Sequence, residues 1–130
     1  MPLTILVVDD DPNMRELLQI HLRNAGYEVR TAKDGIEAGY GVLRHRPDLI
    51  IADVQMPHMN GFEFVAALRA DSSVGEIPVI MLTTEAEWED HGKALGANDY
   101  VTKPVRLDTL LSRIAIHLGK RAINGTTGAL

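Results

Sequence analysis

The chain has 130 residues and no cysteine. That absence excludes disulfides, zinc thiolate centres and cysteine nucleophiles. Aromatic residues make up only 5%, with a single tryptophan, so a platform for stacking nucleic-acid bases is not expected. Basic residues are in the minority: 13 Lys and Arg stand against 18 Asp and Glu, a formal net charge of −5. This balance argues against a nucleic-acid surface on the domain. No apolar run reaches the length of a membrane span, and the N-terminus lacks the charged-then-apolar pattern of a secretion signal. No membrane partner is expected, and the expected location is cytoplasmic. Repeats and low-complexity tracts are also missing. What remains is a hydrophobic fraction of 45%, ordinary for a globular domain of a size that buries a proper core.

Within that frame, strand and helix patterns alternate along the chain. Leu3 to Val8, Tyr27 to Thr31, Leu49 to Ala52, Val79 to Leu82 and Tyr100 to Thr102 read as short strands. The second, more polar than the others, suits an edge. Five helical patterns follow them. Asp11 and Pro12 form an N-cap and first helical position ahead of Met14, Leu17, Leu18, His21, Leu22 and Ala25, and Gly26 closes that helix. Asp34-Gly35 opens a second helix through Ile36, Tyr40 and Leu43, weakened by Gly39 and Gly41. Asn60-Gly61 precedes a third carrying Phe62, Val65 and Leu68, and a fourth covers about Ala86 to Leu95 before Gly96. Leu107, Leu110, Leu111, Ile114 and Leu118 give the cleanest amphipathic helix. Residues 1–119 are expected to form the domain, and 120–130 a polar tail or the start of a linker. Five strands alternating with five helices imply right-handed βαβ units and a parallel sheet covered on both faces.

The residues that close the strands carry the chemistry. Asp9, Asp10 and Asp11 follow the first strand, Asp53 the third, Thr83 and Thr84 the fourth, and Lys103-Pro104 the fifth. In an open α/β sheet, ligands bind outside the carboxyl ends of the strands. Two unit charges about 4 Å apart repel by roughly 4 kcal/mol at an effective dielectric near 20, so clustered acids call for a cation. Carboxylates suit Mg²⁺; a hydroxyl and an ammonium suit phosphoryl oxygens. The inventory points to phosphoryl chemistry, with Asp53 as nucleophile because it stands alone after a strongly apolar strand.

Four segments, in order, then carry a resemblance. They are Val7-Val8-Asp9-Asp10-Asp11-Pro12; Asp53-Val54-Gln55-Met56-Pro57 with Asn60-Gly61; Pro78-Val79-Ile80-Met81-Leu82-Thr83; and Gly96-Ala97-Asn98-Asp99-Tyr100-Val101-Thr102-Lys103-Pro104. The chain resembles the receiver domain of two-component response regulators, from near residue 3 to about 118. The resemblance implies an α/β, flavodoxin-like, doubly wound five-stranded parallel sheet in the order 2-1-3-4-5 with five helices. It implies a phosphorylation-activated signalling switch and not a turnover enzyme. Asp53 would accept the phosphoryl group from a histidine kinase or phosphotransfer protein. Mg²⁺ would be held by Asp10, Asp53, the Gln55 backbone carbonyl and, through water, Asp9. Lys103 and Thr83 would contact the phosphoryl oxygens, Thr83 and Tyr100 would switch together, and Gln55 and Glu85 would tune the acyl-phosphate lifetime. The Lys103-Pro104 bond would be cis. Val105 departs from the family pattern, where a Phe often follows Lys-Pro. The face made by the fourth helix, last strand and last helix would meet an output protein or domain, or a second copy.

Simpler roles are assigned elsewhere. Asp11 and Asp34 are read as helix caps, and the acidic run around Trp88 as a solvated helix face. The histidines at 21, 45, 58, 91 and 117 show no ligand spacing. A Mg²⁺-dependent phosphohydrolase would need a general acid two residues beyond Asp53, where Gln55 cannot serve. A scaffold that dispenses with phosphorylation would not need Asp10, Asp53, Thr83 and Lys103. The remaining alternative is a receiver module cut from a larger regulator whose output domain binds DNA or has another activity.

Overall fold

In the computed structural model, residues 2–90 and 96–126 are described. The elements run β1 (Thr4–Val8), α1 (Pro12–Asn24), β2 (Glu28–Ala32), α2 (Gly35–Arg44), β3 (Leu49–Asp53), α3 (Gly61–Ala70), β4 (Val79–Thr83), α4 (Glu85–Asp90), β5 (Asp99–Thr102) and α5 (Leu107–Thr126). The runs LIIAD and VIMLT are buried at every position, as befits strands covered on both faces. β2 buries only Val29 and Ala32, and it lies at an edge. All pairs are parallel, and the order is β2-β1-β3-β4-β5. The fold expected from the sequence is the fold observed.

Alternation along the strands divides the core in two. Leu6, Val8, Ile50, Ala52, Val79 and Met81 face α2, α3 and Trp88 of α4. Ile5, Val7, Leu49, Ile51, Ile80 and Leu82 face Leu18 and Leu22 of α1 and Leu110, Ile114 and Leu118 of α5. Val105, half-buried, packs against this second cluster in spite of its departure from the family pattern.

Caps set where the helices begin. The Asp11 carboxylate accepts from Asn13 N at 2.9 Å and that of Asp34 from Glu37 N at 2.8 Å, as expected. Asn60 and Glu63 form a reciprocal capping box on α3. α1 ends ahead of Gly26, whose φ of 101° suits glycine. α2 differs from its apolar pattern: Ala38 and Val42 are buried, while Ile36, Tyr40 and Leu43 stand exposed. The described part of α4 ends at Asp90, and residues 91–95 of the expected helix lie outside the described residues. α5 continues through Gly119 to Thr126, past the boundary expected there. A glycine inside a helix costs only about 1 kcal/mol, and Lys120, Arg121 and Ala122 favour helix. No helix among the described residues is long and apolar enough to cross a membrane.

Candidate functional site

Register places the site. Val8 pairs with Ala52, Asp53 with Leu82, and Thr83 with Thr102. Asp9, Asp53, Thr83 and Lys103 therefore line up along the carboxyl edge of four adjacent strands. Asp9, Asp10 and Asp53 each offer a carboxylate oxygen within 4.8 Å of the others, with Asp9 and Asp53 buried and Asp10 exposed. Such a hard, all-oxygen donor set fits a hard divalent cation.

The acids are held differently. The Asp9 N–H donates to Ala32 O at 3.1 Å, prolonging the β1–β2 pairing, while its carboxylate accepts from Asp11 N at 2.9 Å. Burial pushes its pKa up to about 6; the Asp11 N–H opposes this, and repulsion from Asp53, Asp10 and Asp11 adds to it. The nearby Arg15 guanidinium is spent on the Asp9 carbonyl, at 2.7 Å. Asp53 is better supplied. Its Oδ1 accepts from Gln55 N at 3.1 Å and meets Lys103 Nζ at 2.6 Å. Lys103 is set at the end of β5 by its own N–H, which donates to Thr83 O at 2.9 Å, and Lys103-Pro104 is cis.

Thr83 is fully buried. Its hydroxyl lies 3.2 Å from both Thr84 O and Glu87 Oε1. The same Glu87 oxygen accepts from Thr84 N at 3.0 Å and Thr84 Oγ1 at 3.1 Å, while Glu87 Oε2 accepts from Gln55 Nε2 at 2.7 Å. Burial alone would raise the pKa of Glu87, but hydrogen bonds from Thr84, Gln55 and Thr83 outweigh it and hold the pKa below its ordinary value. Glu87 also lines the cleft of about 630 Å³ that Asp10, Gln55, Asn60 and Phe62 border. Next to it, Trp88 is buried and stacks on Tyr100 with centroids 4.5 Å apart. The Tyr100 hydroxyl donates to Glu85 at 3.3 Å.

Asp9, Asp10, Asp53 and Lys103 are thus gathered into one cluster, with Thr83 on the adjoining strand end. Gln55 touches Asp53 through its backbone and Glu87 through its side chain. Glu85 and Tyr100, expected in separate roles, are partners. Glu87 was not singled out from the sequence, although Thr84-x-x-Glu87 has the spacing of a capping box. His117, one of the histidines without ligand spacing, is paired: its Nε2 lies 2.8 Å from Asp99 Oδ2.

A five-stranded parallel sheet with an acidic cluster and a lysine at its carboxyl edge defines a class: doubly wound α/β proteins built to handle phosphoryl groups with a divalent cation. Comparison narrows it. The response regulator receiver domain family matches residues 5–115. The chemotaxis protein CheY4 of Vibrio cholerae is 43% identical, with a TM-score of 0.84 over 91% of this chain and 100% of that one. The receiver domain of the sensor histidine kinase PA1611 from Pseudomonas aeruginosa PAO1, described with a magnesium ion coordinated in its active-site cleft, is 30% identical, with a TM-score of 0.84 over 92% of this chain and 99% of that one. The DNA-binding response regulator MtrA of Mycolicibacterium smegmatis is 42% identical over 88% of this chain and 50% of its own. The chain spans about half the length of the curated relatives it matches. This chain belongs to the response regulator receiver domain family and is a receiver module of two-component signalling.

Proposed function

We propose that Asp53 is the phosphoacceptor of this receiver and that the domain works as a Mg²⁺-dependent switch and not as a turnover enzyme. The observation that carries this is the contact of 2.6 Å between Lys103 Nζ and Asp53, with Asp9 and Asp10 gathered beside it. Asp10, Asp53 and the Gln55 carbonyl would hold the metal, with Asp9 acting through water. When bound, Mg²⁺ supplies positive charge that offsets both the acids and the phosphoryl oxygens. Lys103 orients Asp53 through their contact at 2.6 Å. A carboxylate oxygen of Asp53 forms a bond to phosphorus while the bond from phosphorus to the donor breaks, and its electron pair leaves with the donor group. That donor is a phosphohistidine of a kinase or phosphotransfer protein, or a small acyl phosphate.

The product adds strong negative charge at the end of β3. The Thr83 hydroxyl turns to a phosphoryl oxygen, Tyr100 moves with it, and the face of α4, β5 and α5 changes its affinity for an output partner or a second copy. Gln55 and Glu85 tune how long the acyl phosphate survives. Residues 1–119 make up this receiver; α5 carries on beyond them to Thr126, and the segment 120–130 serves as a tail or the start of a linker. The half-length match to MtrA supports a second setting, in which the receiver serves a larger regulator with a DNA-binding or other output domain. In either setting the module works in the cytoplasm, without binding nucleic acid itself.

Intact mass after incubation with acetyl phosphate and Mg²⁺ tests the assignment. A transient adduct of one phosphoryl group is expected on the wild type, absent without Mg²⁺ and absent from Asp53→Asn. An adduct that persists in Asp53→Asn would refute it.

A further inference from the structure

Glu87 takes no part in the switch as described, yet its carboxylate is the most heavily engaged at the cleft. One oxygen takes the Thr83 hydroxyl, the Thr84 hydroxyl and the Thr84 N–H at 3.0–3.2 Å; the other takes the Gln55 side chain at 2.7 Å. Gln55 in turn donates its backbone N–H to Asp53 at 3.1 Å. Asp53, Gln55, Glu87 and Thr83 therefore form a continuous path from the acceptor oxygen to the switch hydroxyl. Asp53 lies on β3 and Gln55 in the loop after it, whereas Thr83 ends β4 and Glu87 belongs to α4.

We propose that Glu87 is a resting-state latch: it holds the Thr83 hydroxyl and the Gln55 side chain, and a phosphoryl group on Asp53 must take that hydroxyl from it. The inference rests on Asp53 being the phosphoacceptor. A threonine hydroxyl has one proton to donate; at rest Thr84 O and the Glu87 carboxylate both stand 3.2 Å from it, so a phosphoryl oxygen competes with both, and Glu87 is the charged competitor. Hydrogen bonds to a charged acceptor are about twice as strong as neutral ones, and Glu87 is held in its ionised form. A dianionic phosphoryl group also repels a carboxylate tied to the same loop. Release of Thr83 leaves the two Thr84 bonds in place, so α4 keeps its cap while its side-chain hydrogen bond to the end of β4 is lost. Glu87 is thus a positioning residue that biases two arrangements of one element, as a switch requires.

The bland role is a helix cap alone, and Glu87→Gln separates the two, because glutamine serves in a capping box but carries no charge. Wild type, Glu87→Gln and Glu87→Ala are incubated with acetyl phosphate and Mg²⁺, and adduct formation is followed by intact mass. Emission of Trp88, the sole tryptophan, is recorded without Mg²⁺ or phosphodonor. Both variants are expected to acquire the adduct about threefold to tenfold faster, the scale of one charged contact near a surface, with resting emission displaced from wild type. In a Thr83→Ala background the gain from Glu87→Gln should shrink below about twofold, the non-additivity of groups in contact. Wild-type rates and wild-type emission in both variants overturn the latch, as does a full gain in the Thr83→Ala background. A wild type that gains no adduct overturns the phosphoacceptor assignment as well, and is told apart because latch failure alone leaves that adduct intact.

Discussion

At Gly61 a hydrogen stands where any side chain would collide. A Cβ there would come within 2.5 Å of Asp53 O and Met81 Cε and 3.0 Å of Val54 Cα. Met81 can swing away, but the backbone beside Asp53 cannot. Gly61→Ala is therefore expected to lower stability by about 1–3 kcal/mol, read as a lower urea midpoint, and to slow phosphorylation at the proposed acceptor, Asp53. Asp9 makes a different prediction. Its folded pKa near 6 exceeds the ordinary 3.8, so between those values the folded state holds more protons than the unfolded one. Stability of the metal-free protein from this group is complete below about pH 4 and is lost as pH rises through 6, by at most about 3 kcal/mol. In EDTA, Asp9→Asn should gain on the wild type between pH 4 and 7; a difference that stays flat with pH would contradict the raised pKa. Asp9, Asp10, Asp53 and Lys103 were legible because acids and a lysine closing apolar strands have few other reasons to converge. Glu87 was not, because its acidic neighbours Glu85, Glu89 and Asp90 make it look like part of a solvated face.

Among the elements, helix starts were the most legible, since Asp11, Asp34 and Asn60 announce themselves by type and position. Helix faces and ends were less so. In α2 the small Ala38 and Val42 enter the core, whereas the exposed Ile36, Tyr40 and Leu43 line a groove toward α3 with Met59 and Phe64. The end of α5 was misplaced because a glycine punctuates a helix only where the chain must turn, and nothing turns at Gly119. The two glycines of α2 do weaken it without visible return: a Cβ at Gly39 or Gly41 meets nothing within 4 Å. Gly39→Ala should raise stability by about 0.5–1 kcal/mol, measured by urea unfolding; destabilisation would mean that the added methyl group disturbs α2 after all.

For the molecule as a whole, the parallel sheet decides what the site can be. Every strand delivers its last residue to the same edge, so groups as far apart in sequence as Asp9 and Lys103 meet there, and the charges of Asp9, Asp10 and Asp53 are balanced only in part by Lys103. Saturating Mg²⁺ should therefore raise the melting temperature by several degrees, since a ligand at 100 times its dissociation constant stabilises by about 2.7 kcal/mol. Asp10→Asn should blunt that gain; an unchanged wild-type melting temperature would count against the metal assignment. The opposite edge is built for permanence. Arg69 donates to Gly96 O at 3.0 Å, Gly75 O at 2.9 Å, Ile77 O at 2.7 Å and Asn98 Oδ1 at 2.6 Å, and that Asn98 oxygen also accepts Val79 N at 2.8 Å. One guanidinium thus rivets the amino ends of β4 and β5 to α3, while Thr83 and Lys103 ride at the free ends. Sliding β5 along β4 would shear those rivets, whereas tilting about them would not. If Asp53 takes the phosphoryl group as proposed, the pair is pushed at one end and pinned at the other, which is the arrangement of a lever with a fixed fulcrum.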